Sequence, residues 1–97
     1  MLISVMRLRN LTTLRLHTKM EDIYQDIEFI TGEEGIMTHM LPAAGKALEP
    51  WLREKFKAYP TLFDGEYRQI DGNIELLPMT SEEKKAFWER YGAALRG

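Results

Sequence analysis

The twelve residues TGEEGIMTHMLP, from Thr31 to Pro42, put two glycines, two carboxylates and a histidine in one short stretch. Three chemistries use such residues: a metal cradle, a phosphate loop and a catalytic hinge. A phosphate cradle needs converging backbone amides with little nearby negative charge, yet Glu33 and Glu34 occupy the middle of this loop. Calcium suits acidic loops better, but the twelve-residue alternation of oxygen donors that a calcium loop requires is absent. For a transition metal, His17 and His39 form no HxxxH or HxxE pair, and there is no cysteine to complete a ligand set. Both histidines therefore read as structural or surface groups. No G-x-S-x-G elbow surrounds Ser4 or Ser81, which read as strand and cap residues. The sequence argues against an enzyme and names no cofactor and no metal.

Charge is the feature that remains. The net charge of -2 conceals a strong segregation. Residues 1–20 carry Arg7, Arg9, Arg15 and Lys19 without an acid, and residues 21–34 carry Glu21, Asp22, Asp26, Glu28, Glu33 and Glu34 without a base. Carboxylates spaced along one surface can imitate a phosphate backbone and enter a basic groove of another protein. The candidate partner-binding residues are accordingly Asp22, Asp26, Glu28, Glu33 and Glu34, with Tyr24 as an aromatic anchor. The basic arm supports a different reading, a nucleic-acid-binding protein whose Arg7, Arg9, Arg15 and Lys19 track phosphates.

These residues need elements to position them. A 97-residue chain, 44% hydrophobic and with ten aromatic side chains, supports a single domain over 1–97 with its own core. Three arginines interrupt the N-terminal apolar run before a membrane span or signal core forms, and the absence of cysteine suits a reducing compartment, so a cytoplasmic protein without a membrane partner is expected, monomeric or weakly dimeric. Alternation of Met6 and Leu8 with Arg7 and Arg9, and of Leu14 and Leu16 with Arg15 and His17, predicts strands within 3–17. Thr18-x-x-Glu21 reads as a capping box opening a helix with Met20, Ile23, Tyr24, Ile27 and Ile30 on its apolar stripe, ended by Gly32. A second helix, capped by Thr38, with Pro42 in its first turn and a bend or break at Pro50, runs toward Tyr59. Asp71-Gly72 predicts a hairpin over 67–77. Thr80-x-x-Glu83 opens a last helix with Phe87, Trp88, Tyr91 and Leu95 as its stripe. The expected class is α+β, a small antiparallel sheet from the N-terminal strands and the 67–77 hairpin, packed with three or four helices.

Residues 21–60, and within them Thr31, Gly32, Thr38, His39, Leu41 and Pro42, resemble a domain of unknown function found in bacteriophage and prophage proteins, marked by T-G-acidic…T-H-x-L-P. Here Glu34-Gly35-Ile36 lengthens the link and Met40 stands where glutamine is more usual. The resemblance implies a phage or prophage setting, where small proteins without catalytic signatures often block a host machine. In size, α+β content and acidic patch the chain is similar to anti-CRISPR proteins. That likeness implies an inhibitor of a host CRISPR-Cas surveillance complex that binds Cas effector subunits, not nucleic acid, through the acidic patch. A small phage nucleic-acid-binding accessory protein and a virion assembly protein are the alternatives.

Overall fold

Of residues 3–17, only Ile3 and Ser4 lie in a paired strand. In the computed structural model, which describes residues 1–97, only Leu2–Ser4 is extended (β1), and the chain turns at once into a helix, Val5–Thr12 (α1). Ser4 makes that turn: its hydroxyl accepts the Arg7 amide at 3.1 Å, satisfying a donor that the first helical turn leaves free. Alternating Met6 and Leu8 with Arg7 and Arg9 would suit a strand only if both arginines faced water. Arg9 is fully buried and Arg7 is half-buried, so both point at protein partners instead.

Asn10 then organises the connection to the next helix. Its Oδ1 accepts the amides of His17 at 2.7 Å and Thr18 at 3.1 Å, and its Nδ2 donates to Thr18 Oγ1 at 2.7 Å. That use of Thr18 overrides the predicted capping box. The hydroxyl donates to Asp22 Oδ2 at 2.8 Å, and Lys19 stands at the N-cap with no side-chain cap bond. In the same connection Leu14 adopts φ 57°, uncommon for a residue with a Cβ. Its side chain lies on Gly45, where any Cβ would collide with it.

The following helix spans Met20–Thr31 (α2) and ends at Gly32, whose φ of 73° supplies the left-handed C-terminal residue expected there. Ile27 and Ile30 of the stripe are buried, whereas Met20 stays exposed. After a short 3-10 turn at Thr38–Met40, a helix runs unbroken over Leu41–Lys55 (α3) with Pro42 in its first turn and Pro50 inside it. Proline therefore neither divides the helix nor starts a second one; it removes one internal hydrogen bond. Thr38 is not the cap: the 3-10 turn starts from Met37 without a side-chain cap, and Thr38 Oγ1 shares a 2.7 Å hydrogen bond with the Tyr24 hydroxyl.

The last helix, Ser81–Arg96 (α4), packs along α3 and opens with the predicted capping box. Glu83 N donates to Thr80 Oγ1 at 3.2 Å and Thr80 N donates to Glu83 Oε1 at 2.8 Å. Phe87 and Tyr91 are buried on its core face, but Trp88 and Leu95 are exposed, so the stripe is narrower than expected. The Thr80 amide, together with the Lys55 ammonium 2.9 Å away, holds the Glu83 carboxyl down at about 2, and Trp51 Nε1, buried and outside hydrogen-bond geometry, adds a smaller pull. A carboxylate depressed in the folded state stabilises the fold above its ordinary value of 4.5 and loses that contribution as pH falls toward about 2. Glu83→Gln should therefore flatten the acid limb of a stability-versus-pH curve between those values, and an unchanged limb would contradict this assignment.

The 67–77 hairpin does not form. Asn73–Glu75 (β2) pairs instead with β1 in antiparallel register, Ile3 opposite Ile74, giving a two-stranded sheet. Residues 67–70 are not extended against it, because the segment just before them is tied to α1 by Arg9. The class is α+β, with four helices and a sheet smaller than the sequence suggests. One apolar cluster unites the elements, with Leu8, Ile30, Leu48, Leu76 and Phe87 at its centre. No helix is long and apolar enough to cross a membrane.

Candidate acidic interface

The acidic corner is built by the C-terminus of α2. Gly32 N donates to Glu28 O at 2.7 Å, Thr31 Oγ1 donates to Ile27 O at 2.7 Å, and the same hydroxyl accepts from Glu33 N at 3.1 Å. Met79 N donates to Ile30 O at 2.9 Å, clamping the approach to α4 onto this helix end. Beyond Gly35, at φ 82°, Ile36 returns to pack on the core and the Tyr24–Thr38 hydrogen bond closes the loop. Glu33 and Glu34 are thus presented from a stretch fixed on both sides. Glu34 and Glu28 are exposed, Glu33 is half-buried, and none of the three enters an ion pair. Tyr24 is half-buried and its hydroxyl is spent on Thr38, so it braces the corner more than it offers an anchor.

Asp22 and Asp26 are elsewhere. Asp26 is fully buried and Asp22 nearly so, and both face α1. Arg7 grips Asp26 with a fork, Nε to Oδ2 at 2.8 Å and Nη2 to Oδ1 at 2.7 Å, while its Nη1 stands 3.8 Å from Asp22. The hydrogen bond to Asp26 raises the Arg7 guanidinium, and burial pushes the Asp26 carboxyl up against the pull of Arg7. Two carboxylates of the acidic block are therefore held inside the fold by one cation of the basic arm. This corrects the acidic surface read from the sequence, which shrinks to Glu28, Glu33 and Glu34.

Of the four cations of the basic arm, Arg7 and Arg9 are drawn into the fold, and Arg15 and Lys19 stay exposed. Arg9 donates to the carbonyls of Thr61 and Glu66 and, at 3.1 Å, to Asp64. Arg15 donates to Gly65 O at 2.8 Å and lies over the Tyr67 ring, and Lys19 approaches Glu21 at 4.0 Å. His17 shares a 3.0 Å hydrogen bond with Thr13 Oγ1; burial, then Arg9 and Arg15, lower its pKa. His39 is exposed on the other side of the loop. No three His, Asp or Glu side chains gather closely enough to hold a metal.

One residue of the corner escaped the sequence reading. A Cβ on Gly32 would stand 3.3 Å from Lys84 Nζ, and the Glu33 carboxylate, after burial, helps raise the Tyr91 hydroxyl, so the corner lies against the α4 face that carries Lys84 and Tyr91. Trp88 sits on that face, 5.8 Å from the Tyr91 ring, and remains 44% exposed. The signal was present: Phe87 and Trp88 are adjacent, and one helix face cannot bury both.

The sequence profile of a family described as a domain of unknown function, DUF7736, matches residues 5–62. The chain belongs to this family. Neither a curated protein nor a solved structure matches it. The DUF7736 segment holds α1, α2, α3 and the 3-10 turn at Pro60–Leu62, with the whole Arg7–Asp26 pair and the Glu28, Glu33 and Glu34 corner, whereas β2 and α4 lie beyond it.

Proposed function

We propose that this DUF7736 chain is a phage- or prophage-derived inhibitor that works in the host cytoplasm, binding the nucleic-acid-binding surface of a CRISPR-Cas surveillance complex and excluding target DNA. The observation that carries the reading is the corner itself: three carboxylates free of ion pairs, on a stretch anchored at both ends, beside an exposed tryptophan. An unpaired acidic patch accelerates encounter with a lysine-lined channel, and a partly exposed tryptophan is the kind of side chain that dominates binding energy once desolvated. Because the backbone that carries the carboxylates is already anchored, the ordering cost on meeting a partner falls on the side chains alone. The reading needs no catalytic group and no cofactor.

Captured from lysate of a host carrying an active CRISPR-Cas system, the tagged protein is expected to retain crRNA-bound effector subunits, released as salt rises. Retention of capsid or tail proteins instead would favour a virion assembly protein, and retention of neither would remove the inhibitor reading.

A further inference from the structure

We propose that the cleft between α3 and α4 binds a phosphate monoester of about nucleotide size, with Lys46, Arg90 and His39 meeting its phosphoryl oxygens. The cleft is separate from the acidic corner. It is an open groove of about 850 Å³, and its side chains include these three donors and no carboxylate. Lys46 and Arg90 join none of the ion pairs of the fold, and the terminal carboxylate of Gly97, at one end of the cleft, pairs with neither.

Arg90 is also oriented in advance. Its Nε donates to Ala47 O at 2.8 Å, which fixes the guanidinium plane and leaves both terminal nitrogens without a protein acceptor. A planar fork held in this way suits two oxygens of one phosphoryl group, whereas Lys46 adds a mobile point charge. Pro42 and Ala43 bring the first turn of α3 to the same cleft, so the positive end of that helix adds to the field. A phosphate monoester carries between one and a half and two negative charges near pH 7, against the two positive charges of Lys46 and Arg90, from which the Gly97 carboxylate at the end of the cleft subtracts. The remaining wall is small and apolar, with Ala47, Ala94 and Pro50 offering a floor for an uncharged body. A nucleic-acid strand fits less well, since the cations sit in one concavity instead of along a track.

Titration of the 15N-labelled full chain with adenosine monophosphate should give saturable amide shifts confined to the Thr38–Met40 turn, the first half of α3 and the last two turns of α4. Adenosine should give none, and inorganic phosphate should bind more weakly at the same place. Lys46→Gln, at an exposed position, should weaken the monophosphate about ten-fold, the size expected for one charged hydrogen bond. Arg90→Gln should weaken it at least as much, with its melting temperature recorded because the bond to Ala47 is also lost. No saturable shift with the monophosphate, equal binding of adenosine, an affinity unchanged by Lys46→Gln, or tighter binding of an oligothymidylate would each overturn the proposal.

Discussion

Asp26→Ala should destabilise the fold by about 3 kcal/mol, because it leaves the Arg7 guanidinium half-buried without its partner. For a chain of this size that is a fall in melting temperature of about 12–24 °C by calorimetry. The pair as a whole should behave differently from its halves. Taking two charges out of water costs nearly as much as their attraction returns, and the raised Asp26 carboxyl is the mark of that cost. The double replacement Arg7→Met with Asp26→Leu should therefore be closer to the wild type than Asp26→Ala alone. A double variant as unstable as the sum of its singles would show instead that the ion pair is strongly favourable. Acid should not be what breaks it: a carboxyl raised by folding takes up its proton more readily in the folded chain, so the stability it carries is present at low pH and is lost as pH rises. The acid-sensitive carboxylate is Glu83.

Arg9→Met should cost a similar amount, about 3 kcal/mol, and for a local reason. Arg9 is fully buried, and its terminal nitrogens hold Thr61 O, Glu66 O and Asp64 Oδ1 together. Asp64 in turn is kept below its ordinary value by the Glu66 amide first and by Arg9 and Arg68 as well. Without the guanidinium the stretch from 61 to 66 loses the group that folds it onto α1. Hydrogen exchange should quicken there while the α3–α4 contact stays protected. Arg9→Lys should not restore stability, since an ammonium cannot reach three acceptors in one plane. Full rescue by lysine would mean that charge alone, not the fork, is what that loop requires.

These two arginines also explain where the sequence was legible and where it misled. Elements set by apolar spacing were readable, and the Gly32 stop of α2, the Pro42 start of α3 and the Thr80–Glu83 box of α4 follow from rules that act within a few residues, whereas the Thr18 and Thr38 hydroxyls are taken from their caps by Asn10, Asp22 and Tyr24. The N-terminal segment was not readable, because the reading assumed that arginines mark the wet face. Arg7 and Arg9 point inward to partners 19 and 55 residues away, a fact that no local pattern contains. The predicted hairpin failed for the same kind of reason. Asp71-Gly72 does bend the chain, with Gly72 at φ 113°, but Val5 N takes the Gly72 carbonyl and β1 takes the strand edge.

The acidic site was half legible. Charge segregation located the carboxylates without distinguishing those that neutralise Arg7 from those left for solvent, and only the packing of α1 on α2 divides them. Trp88 was hidden by being counted as core. What the structure leaves is a smaller and stiffer patch than the sequence suggested, made of Glu28, Glu33 and Glu34 beside one exposed indole.

The most direct measurement is target-DNA binding by a purified, crRNA-loaded surveillance complex in the presence of Glu28→Lys/Glu33→Lys/Glu34→Lys, compared with the unaltered chain. The unaltered protein is expected to displace target DNA, and the triple variant to have lost that effect by at least about a hundred-fold, a few kcal/mol of interface energy, with its melting temperature unchanged. A triple variant that remains folded and still displaces DNA as the unaltered chain does would contradict the claim that this corner is the binding surface.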